Sequence, residues 1–324
     1  MCGVYCRPIS NAHSDPTYPH YEVFARRVRF ACGMVGTFES DMPLQVRTKT
    51  KSRTCRMILV VHLIKQGAEM KQLFASTVLC MLATSACAAD TLRFGVEADY
   101  PPFEYKLPSG ELAGFDIDIG NAICAKLQVK CRWVENSFDG LIPALEARKF
   151  DAINSAMWAT EQREKAIDFT SVIYASPIRL VARTGSHILP NAESLKGKRI
   201  GVQQGGTQQY YAEQKWAPAG AVVITYSSQT QVFSDLAAGR VDAALQSQQS
   251  AEDSFLKKPE GKDFAFVGEP LTDEKIFGRG VAFGVRKQDP ELKARLNEAI
   301  AALKQDGTLN RLAKKYFNYQ IVAP

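Results

Sequence analysis

The chain has 324 residues, enough for one large or two modest domains, and carries a formal charge of +6 with 46% hydrophobic residues. The charge invites a nucleic-acid partner, but it is local: residues 1–69 hold ten Lys/Arg against five Asp/Glu, Lys71 adds one more cation, and residues 89–324 hold 29 of each sign. That larger part has no Lys/Arg cluster interleaved with aromatics, so no nucleic-acid binding is expected.

Residues 1–69 show no clear periodicity and hold four of the eight cysteines. From Met70 the chain reads MKQLFASTVLCMLATSACAA. One cation (Lys71), an apolar run from Leu73 to about Ala83 and a small-residue end (Ala86-Cys87-Ala88) give the form of a secretory signal peptide, cleaved before Ala89. The run is too short for a transmembrane helix. A lipoprotein acylated at Cys87 is an alternative, although Thr84 stands where such signals place leucine. A signal peptide at 70–88 implies that translation starts at Met70 and that 1–69 is an upstream extension from a misassigned start; a genuine cytosolic N-terminal domain is the other reading. Export leads to a periplasmic location.

Leu92, Phe94 and Val96 alternate with polar neighbours, as in a strand. Phe115 to Leu127 has helical spacing; Phe138 to Ala147 predicts a helix and Phe150 to Ile153 the strand after it. Cys124 and Cys131 are the two cysteines of the exported part, and an even pair at short range in an oxidising compartment suggests a disulfide. The second half repeats the pattern: strand 198–202, helix 207–215, strand 222–226, helix 232–238, strand 241–245. One echo is direct, Leu145-Glu-Ala-Arg-Lys-Phe-Asp-Ala against Leu236-Ala-Ala-Gly-Arg-Val-Asp-Ala. Two α/β lobes of like build are implied. Leu180-Val181-Ala182 and Val281 to Val285 read as the two crossing strands of a hinge, giving lobe 1 as 89–180 plus 281–324 and lobe 2 as 181–280. Residues 291–304 and 308–317 form amphipathic helices broken by Gly307 and capped by Thr308, their apolar faces turned to the core.

The stretch Asp151 to Thr170 carries the clearest functional signal. Thr160 is a good N-cap for a helix with Arg163 in its first turn. A cation is out of place at the positive end of a helix unless it meets an anion. A guanidinium beside free backbone amides suits a carboxylate, through two parallel hydrogen bonds. The plainer reading makes Arg163 a surface residue or a partner of Glu161. A metal centre is not expected, since His187 is the one histidine in 89–324.

This block closely resembles a segment of the periplasmic amino-acid-binding proteins of polar amino-acid ABC transporters, most of all the lysine/arginine/ornithine and histidine binders. The likeness runs from Thr91 to about Tyr319. It includes Phe94-Gly95 through Pro102-Phe103, Gly114-Phe115-Asp116-Ile117-Asp118, Phe138 through Pro143, Gly201-Val202 through Gly205-Gly206-Thr207, and Ala313 through Phe317. The resemblance implies a type II periplasmic binding fold, α/β and two-lobed with a two-strand hinge, and a disulfide Cys124–Cys131. It implies that Arg163 clamps an α-carboxylate with Thr207 and Gln208, that Gly205-Gly206 lets the backbone approach, and that Ser155 and Ala156 line lobe 1. Tyr100 and Phe138 would sandwich an aliphatic stem, and Glu97 would meet a cationic tip. For Tyr100 and Phe138 core packing is the alternative, for Glu97 a solvated surface position.

Three positions depart from the family. Ser247 stands where the relatives place an aspartate for the α-ammonium, Trp158 where they place serine or threonine, and Gln203 where the lysine/arginine/ornithine binders have an apolar residue. Losing a charge-assisted hydrogen bond costs roughly 1.5–3 kcal/mol. Either Trp158 replaces the anchor by a cation–π contact, or the ligand's amine is substituted, as in opines.

The implied function is capture of a small carboxylated, nitrogenous solute, basic or N-substituted, and delivery to an inner-membrane ABC permease. The chain is expected to act as a monomer without a cofactor and not as an enzyme. The alternative is a periplasmic dehydratase resembling the cyclohexadienyl dehydratases. That reading needs an acid in the pocket, and no acid follows Ser247 until Glu252, which leaves Glu97.

Overall fold

The computed structural model describes residues 90–323. The expected signal peptide, the alternative of an anchor at Cys87 and the expected upstream extension lie outside these residues.

The chain opens with β1 (Thr91–Val96), β2 (Asp99–Tyr100), β3 (Glu104–Lys106) and β4 (Leu112–Ala113). Helix α1 (Phe115–Leu127), β5 (Lys130–Glu135), α2 (Leu141–Glu146), β6 (Ala152–Ile153), α3 (Glu161–Glu164) and β7 (Asp168–Phe169) complete the first pass through lobe 1. Lobe 2 holds β8 (Ile178–Arg183), β9 (Arg199–Gln203), α4 (Thr207–Tyr211), β10 (Val222–Tyr226), α5 (Gln229–Ala237), β11 (Ala243–Ser247), α6 (Gln248–Ala251), β12 (Phe264–Leu271) and α7 (Glu274–Phe277). The return supplies β13 (Gly284–Val285), α8 (Pro290–Gln305) and α9 (Thr308–Tyr316).

Each lobe is built on a five-stranded mixed sheet, ordered β5-β1-β6-β13-β7 in lobe 1 and β10-β9-β11-β8-β12 in lobe 2. In β1 the alternation reads as expected, with Leu92, Phe94 and Val96 buried in the core. The sequence echo is also an echo in space. Asp151 takes the backbone N–H of Arg93 (3.0 Å) and a forked bond from its guanidinium (3.0 and 2.6 Å). Asp242 does the same for Arg199 (2.8, 3.2 and 2.9 Å). Each pair ties the start of a lobe's leading strand to the start of the strand beside it. The disulfide Cys124–Cys131 joins α1 to β5.

The first crossing lies earlier in the chain than the sequence predicts. Leu180-Val181-Ala182 belong to β8, inside the second sheet between β11 and β12. The chain therefore leaves lobe 1 before Ile178, around Ala175–Pro177. Tyr174 pairs with both Val281 and Val322 at this point, and Trp158 also pairs with Val281. The apolar run 180–182 reads like a crossing strand because a strand buried on both faces is equally apolar. At the other end Thr308 is the first helical residue and Gly307, at φ 74°, takes the capping position. The buried faces of α8 and α9 do pack into the lobe 1 core, through Leu296, Ile300, Leu303, Leu309 and Ala313.

Candidate ligand-binding site

Polar side chains at the ends of β1, β9 and β11 converge on a cavity between the two sheets, where α/β proteins place their ligands. Arg163 lines it. Thr160 caps α3 by accepting the Arg163 N–H (3.2 Å). The guanidinium is buried and donates to the carbonyl oxygens of Trp158 (2.8 Å) and, across the lobes, Gly205 (2.9 Å). It lies 5.4 Å from the Phe138 ring centroid. Neither the surface reading nor a pair with Glu161 holds: Arg163 is 6% exposed, and no ion pair to it is formed among the described residues. Burial pulls its pKa down to about 10, so it remains a cation at neutral pH. A guanidinium has five N–H donors, and two are spent on carbonyls, leaving a fork for an anion.

Glu97 lines the same cavity and is buried rather than solvated. The Gln203 Nε2 amide reaches both carboxyl oxygens, at 2.6 and 2.7 Å. Burial raises the Glu97 pKa to about 7, against the pull of the Gln203 bond. The Tyr100 hydroxyl meets the Ser247 hydroxyl across the cleft at 2.9 Å. Tyr100 also stacks on Phe103 at 5.6 Å. Trp158 packs against the cores of both lobes and lines the cavity.

Gly205 adopts φ 75°, and a Cβ there would stand 3.0 Å from Asp139 of the facing lobe. Only glycine allows that approach. Gly206 precedes α4, whose first residues Thr207 and Gln208 line the cavity and bond to each other at 3.2 Å.

Residues 92–319 match the family described as bacterial extracellular solute-binding proteins, family 3. The chain belongs to this family. It is 47% identical over 255 residues to the lysine/arginine/ornithine-binding periplasmic protein of Escherichia coli, covering 78% of this chain and 98% of that one. A Salmonella typhimurium periplasmic binding protein of high arginine specificity superposes with a TM-score of 0.66 at 32% identity, over 71% of this chain and all of its own. The ancestral amino acid-binding protein AncCDT-1, a precursor of cyclohexadienyl dehydratase, gives 0.62 at 30% identity, over 70% of this chain and 96% of its own. The fold is that of the type II periplasmic binding proteins, two lobes joined by two crossovers. Among the described residues no helix is long and apolar enough to cross a membrane.

In this solute-binding protein Glu97, Tyr100, Phe138, Ala156, Trp158, Arg163, Gln203, Thr207, Gln208 and Ser247 all line one cavity. Ser155 does not. Its hydroxyl is turned into the wall, accepting the Glu97 N–H (2.9 Å) and donating to Glu104 Oε1 (2.9 Å). Strand periodicity gives the face of a side chain but not its hydrogen-bond partner. Four lining residues were not anticipated: Phe103, Tyr174, Ser176 and Val281. Tyr174 and Ser176 belong to the first crossover, and misplacing that crossing hid them, while Val281 reads in the sequence as a hinge residue and not as a lining one. Pro177, which lacks the N–H a central strand needs, is the signal that would have placed the crossing before Ile178.

Proposed function

We propose that the cavity closes on a small amino-acid carboxylate with a basic side chain, L-arginine, L-lysine or L-ornithine, or on an N-substituted derivative of one, such as an opine. The observation that carries this reading is the buried Arg163 guanidinium, with no acidic partner among the described residues, lining the same cavity as the buried Glu97. A carboxylate completes the first and a cationic tip the second, each by a charge-assisted bond. The relatives named for arginine and for lysine, arginine and ornithine support the class. The protein then acts in the periplasm, as a monomer, delivering the solute to an inner-membrane ABC permease.

A derivative enters the proposal because the ammonium position is neutral. Ser247 and Tyr100 offer hydroxyls there, and Trp158 a π face. The test is calorimetric titration of refolded protein with L-arginine. Binding at around micromolar or tighter makes Trp158 sufficient as the ammonium contact. No binding by folded protein sinks the free amino acid, and an arginine bearing an N-carboxyalkyl group is titrated next.

One observation favours a second reading, a dehydratase. Glu97 is a buried carboxyl raised to about 7, the range useful to a general acid. Release of water from a cyclohexadienyl amino acid, absent in Glu97→Gln, would establish it.

A further inference from the structure

Beneath the lobe 1 wall lie two carboxyl groups that the ligand contacts do not use. Glu104 opens β3 and Asp116 sits in the first turn of α1, at 0% and 1% exposure. Asp116 accepts twice, from the Tyr174 hydroxyl on Oδ1 (2.8 Å) and from the Ala156 N–H on Oδ2 (2.6 Å). Glu104 is different. Its Oε1 takes the Ser155 hydroxyl (2.9 Å), whose own oxygen is occupied by the Glu97 N–H (2.9 Å), so the Ser155 proton points to Glu104. Its Oε2 is buried and no donor reaches it. The two carboxyl groups are within hydrogen-bonding reach of each other.

Two carboxylates cannot both stay ionised side by side in a dry site. The other ionisable groups acting on the pair are Glu97, Tyr100 and Tyr174, and none is a cation. One proton must be held between them, and the donors decide where. An oxygen facing an N–H and an oxygen facing an O–H are both acceptors, so Asp116 is the anion. The orphan Oε2 of Glu104 is the place for the proton, which turns a costly bare acceptor into a donor available to the neighbouring Asp116.

We infer that Glu104 and Asp116 are positioning residues for the ligand cavity, a neutral acid and a carboxylate that together fix its lobe 1 wall. Three lining residues hang on the pair: Ala156 through its N–H, Tyr174 through its hydroxyl, and Glu97 through Ser155. Ala156 needs the support most, because it sits at φ 42°, where residues other than glycine are rarely found. Burial, with repulsion from Asp116, raises Glu104 well above the ordinary carboxyl range; burial alone raises Asp116, to about 6, against the pull of the bonds from Ala156, Tyr174 and Glu104, the order the geometry requires.

The assignment makes the two conservative variants unequal. In Glu104→Gln the new amide donates to Asp116 while its oxygen still accepts from Ser155. In Asp116→Asn one acceptor becomes an amide N–H, so either the Ala156 N–H faces a donor or the Tyr174 hydroxyl must turn to accept and loses its own acceptor. Carboxyl-carbon NMR at pH 7 on the intact protein should show one protonated glutamate that disappears in Glu104→Gln. The Ala156 amide should resist hydrogen exchange in wild type and Glu104→Gln and exchange fast in Asp116→Asn. These two readouts need no ligand. The positioning claim rests on the proposed function only in its binding arm. L-Arginine affinity should stay within about threefold for Glu104→Gln and weaken about tenfold to a hundredfold for Asp116→Asn. An ionised Glu104 at pH 7, or equal Ala156 exchange in the two variants, overturns the inference. If Asp116→Asn does not fold, the carboxyl spectrum and Glu104→Gln decide alone. If wild type fails to bind L-arginine while the NMR pattern holds, the ligand is wrong and the pair stands.

Discussion

On the proposed reading, ligand identity turns on the position of Ser247. Its hydroxyl pairs with that of Tyr100 and brings no charge to the cavity. Ser247→Asp would supply an acceptor for a primary ammonium, and a charge-assisted bond is worth roughly 1.5–3 kcal/mol. Calorimetry should show free L-arginine gaining about one to two decades in affinity from this change. An N-substituted ligand has less room and fewer protons to offer there and should not gain. A variant that tightens neither would mean that the Ser247 hydroxyl does not face the ligand amine. Glu97 gives a second handle, through pH. Its folded pKa is raised to about 7 by burial, so its contribution to stability is full below the ordinary carboxyl value and is lost as pH rises through 7. The thermal midpoint should fall between pH 5 and pH 8, and Glu97→Gln should remove that part of the slope. Binding of a cationic tip has the opposite sign, because it needs the ionised carboxylate. Affinity for L-arginine should therefore rise with pH up to about 7 and then level. A flat profile in wild type would place the cationic end elsewhere.

At the scale of elements, the disulfide is the clearest single contribution. Cys124 and Cys131 are seven apart and close a small ring between α1 and β5. Chain-entropy arguments give a loop of that length about 2–2.5 kcal/mol. A domain of this size shifts by about 2–4 °C per kcal/mol, so Cys124→Ser with Cys131→Ser should lower the melting temperature by roughly 4–10 °C. Reduction of the wild type should match the double variant. Much of this layer is legible in the sequence, for a physical reason. Val222 to Tyr226 is a β-branched run and Phe115 to Leu127 has helical spacing, and the observed strand and helix have those same bounds. The repeat of Leu145 to Ala152 in Leu236 to Ala243 extends to the Arg93–Asp151 and Arg199–Asp242 pairs, because both lobes solve the same problem at the start of a strand. Elements of two or three residues, such as β2, β3 and β4, are too short for a period to show. Contacts made across space are not periodic at all. The Glu97–Gln203 and Tyr100–Ser247 pairs join residues more than a hundred positions apart, and the sequence names the residues without pairing them.

Those long-range pairs act on the whole molecule, because they join one lobe to the other. Tyr100–Ser247 and Glu97–Gln203 cross inside the cavity. Others cross outside it: the Thr230 hydroxyl to Asp99 (2.7 Å), Ser254 to the Pro101 carbonyl (3.1 Å), and Gln204 to Asp139 (3.1 Å). Contacts of the second kind favour the closed form without touching a solute. Apparent affinity is the intrinsic affinity scaled by the population that can bind, so weakening closure weakens every ligand by one common factor. Thr230→Val tests this, since it removes one cross-lobe hydroxyl at the exposed start of α5 and keeps the branched shape. Affinities for L-arginine, L-lysine and L-ornithine should each fall by about two- to tenfold, the effect of one modest hydrogen bond, and their ratios should not change. Glu97→Gln should do the reverse in calorimetry, changing the preference for cationic over neutral solutes. A Thr230→Val variant that altered the ratios would show that the rim reaches the ligand. One that altered nothing would show that closure rests on the cavity contacts and on Trp158, which packs against both cores.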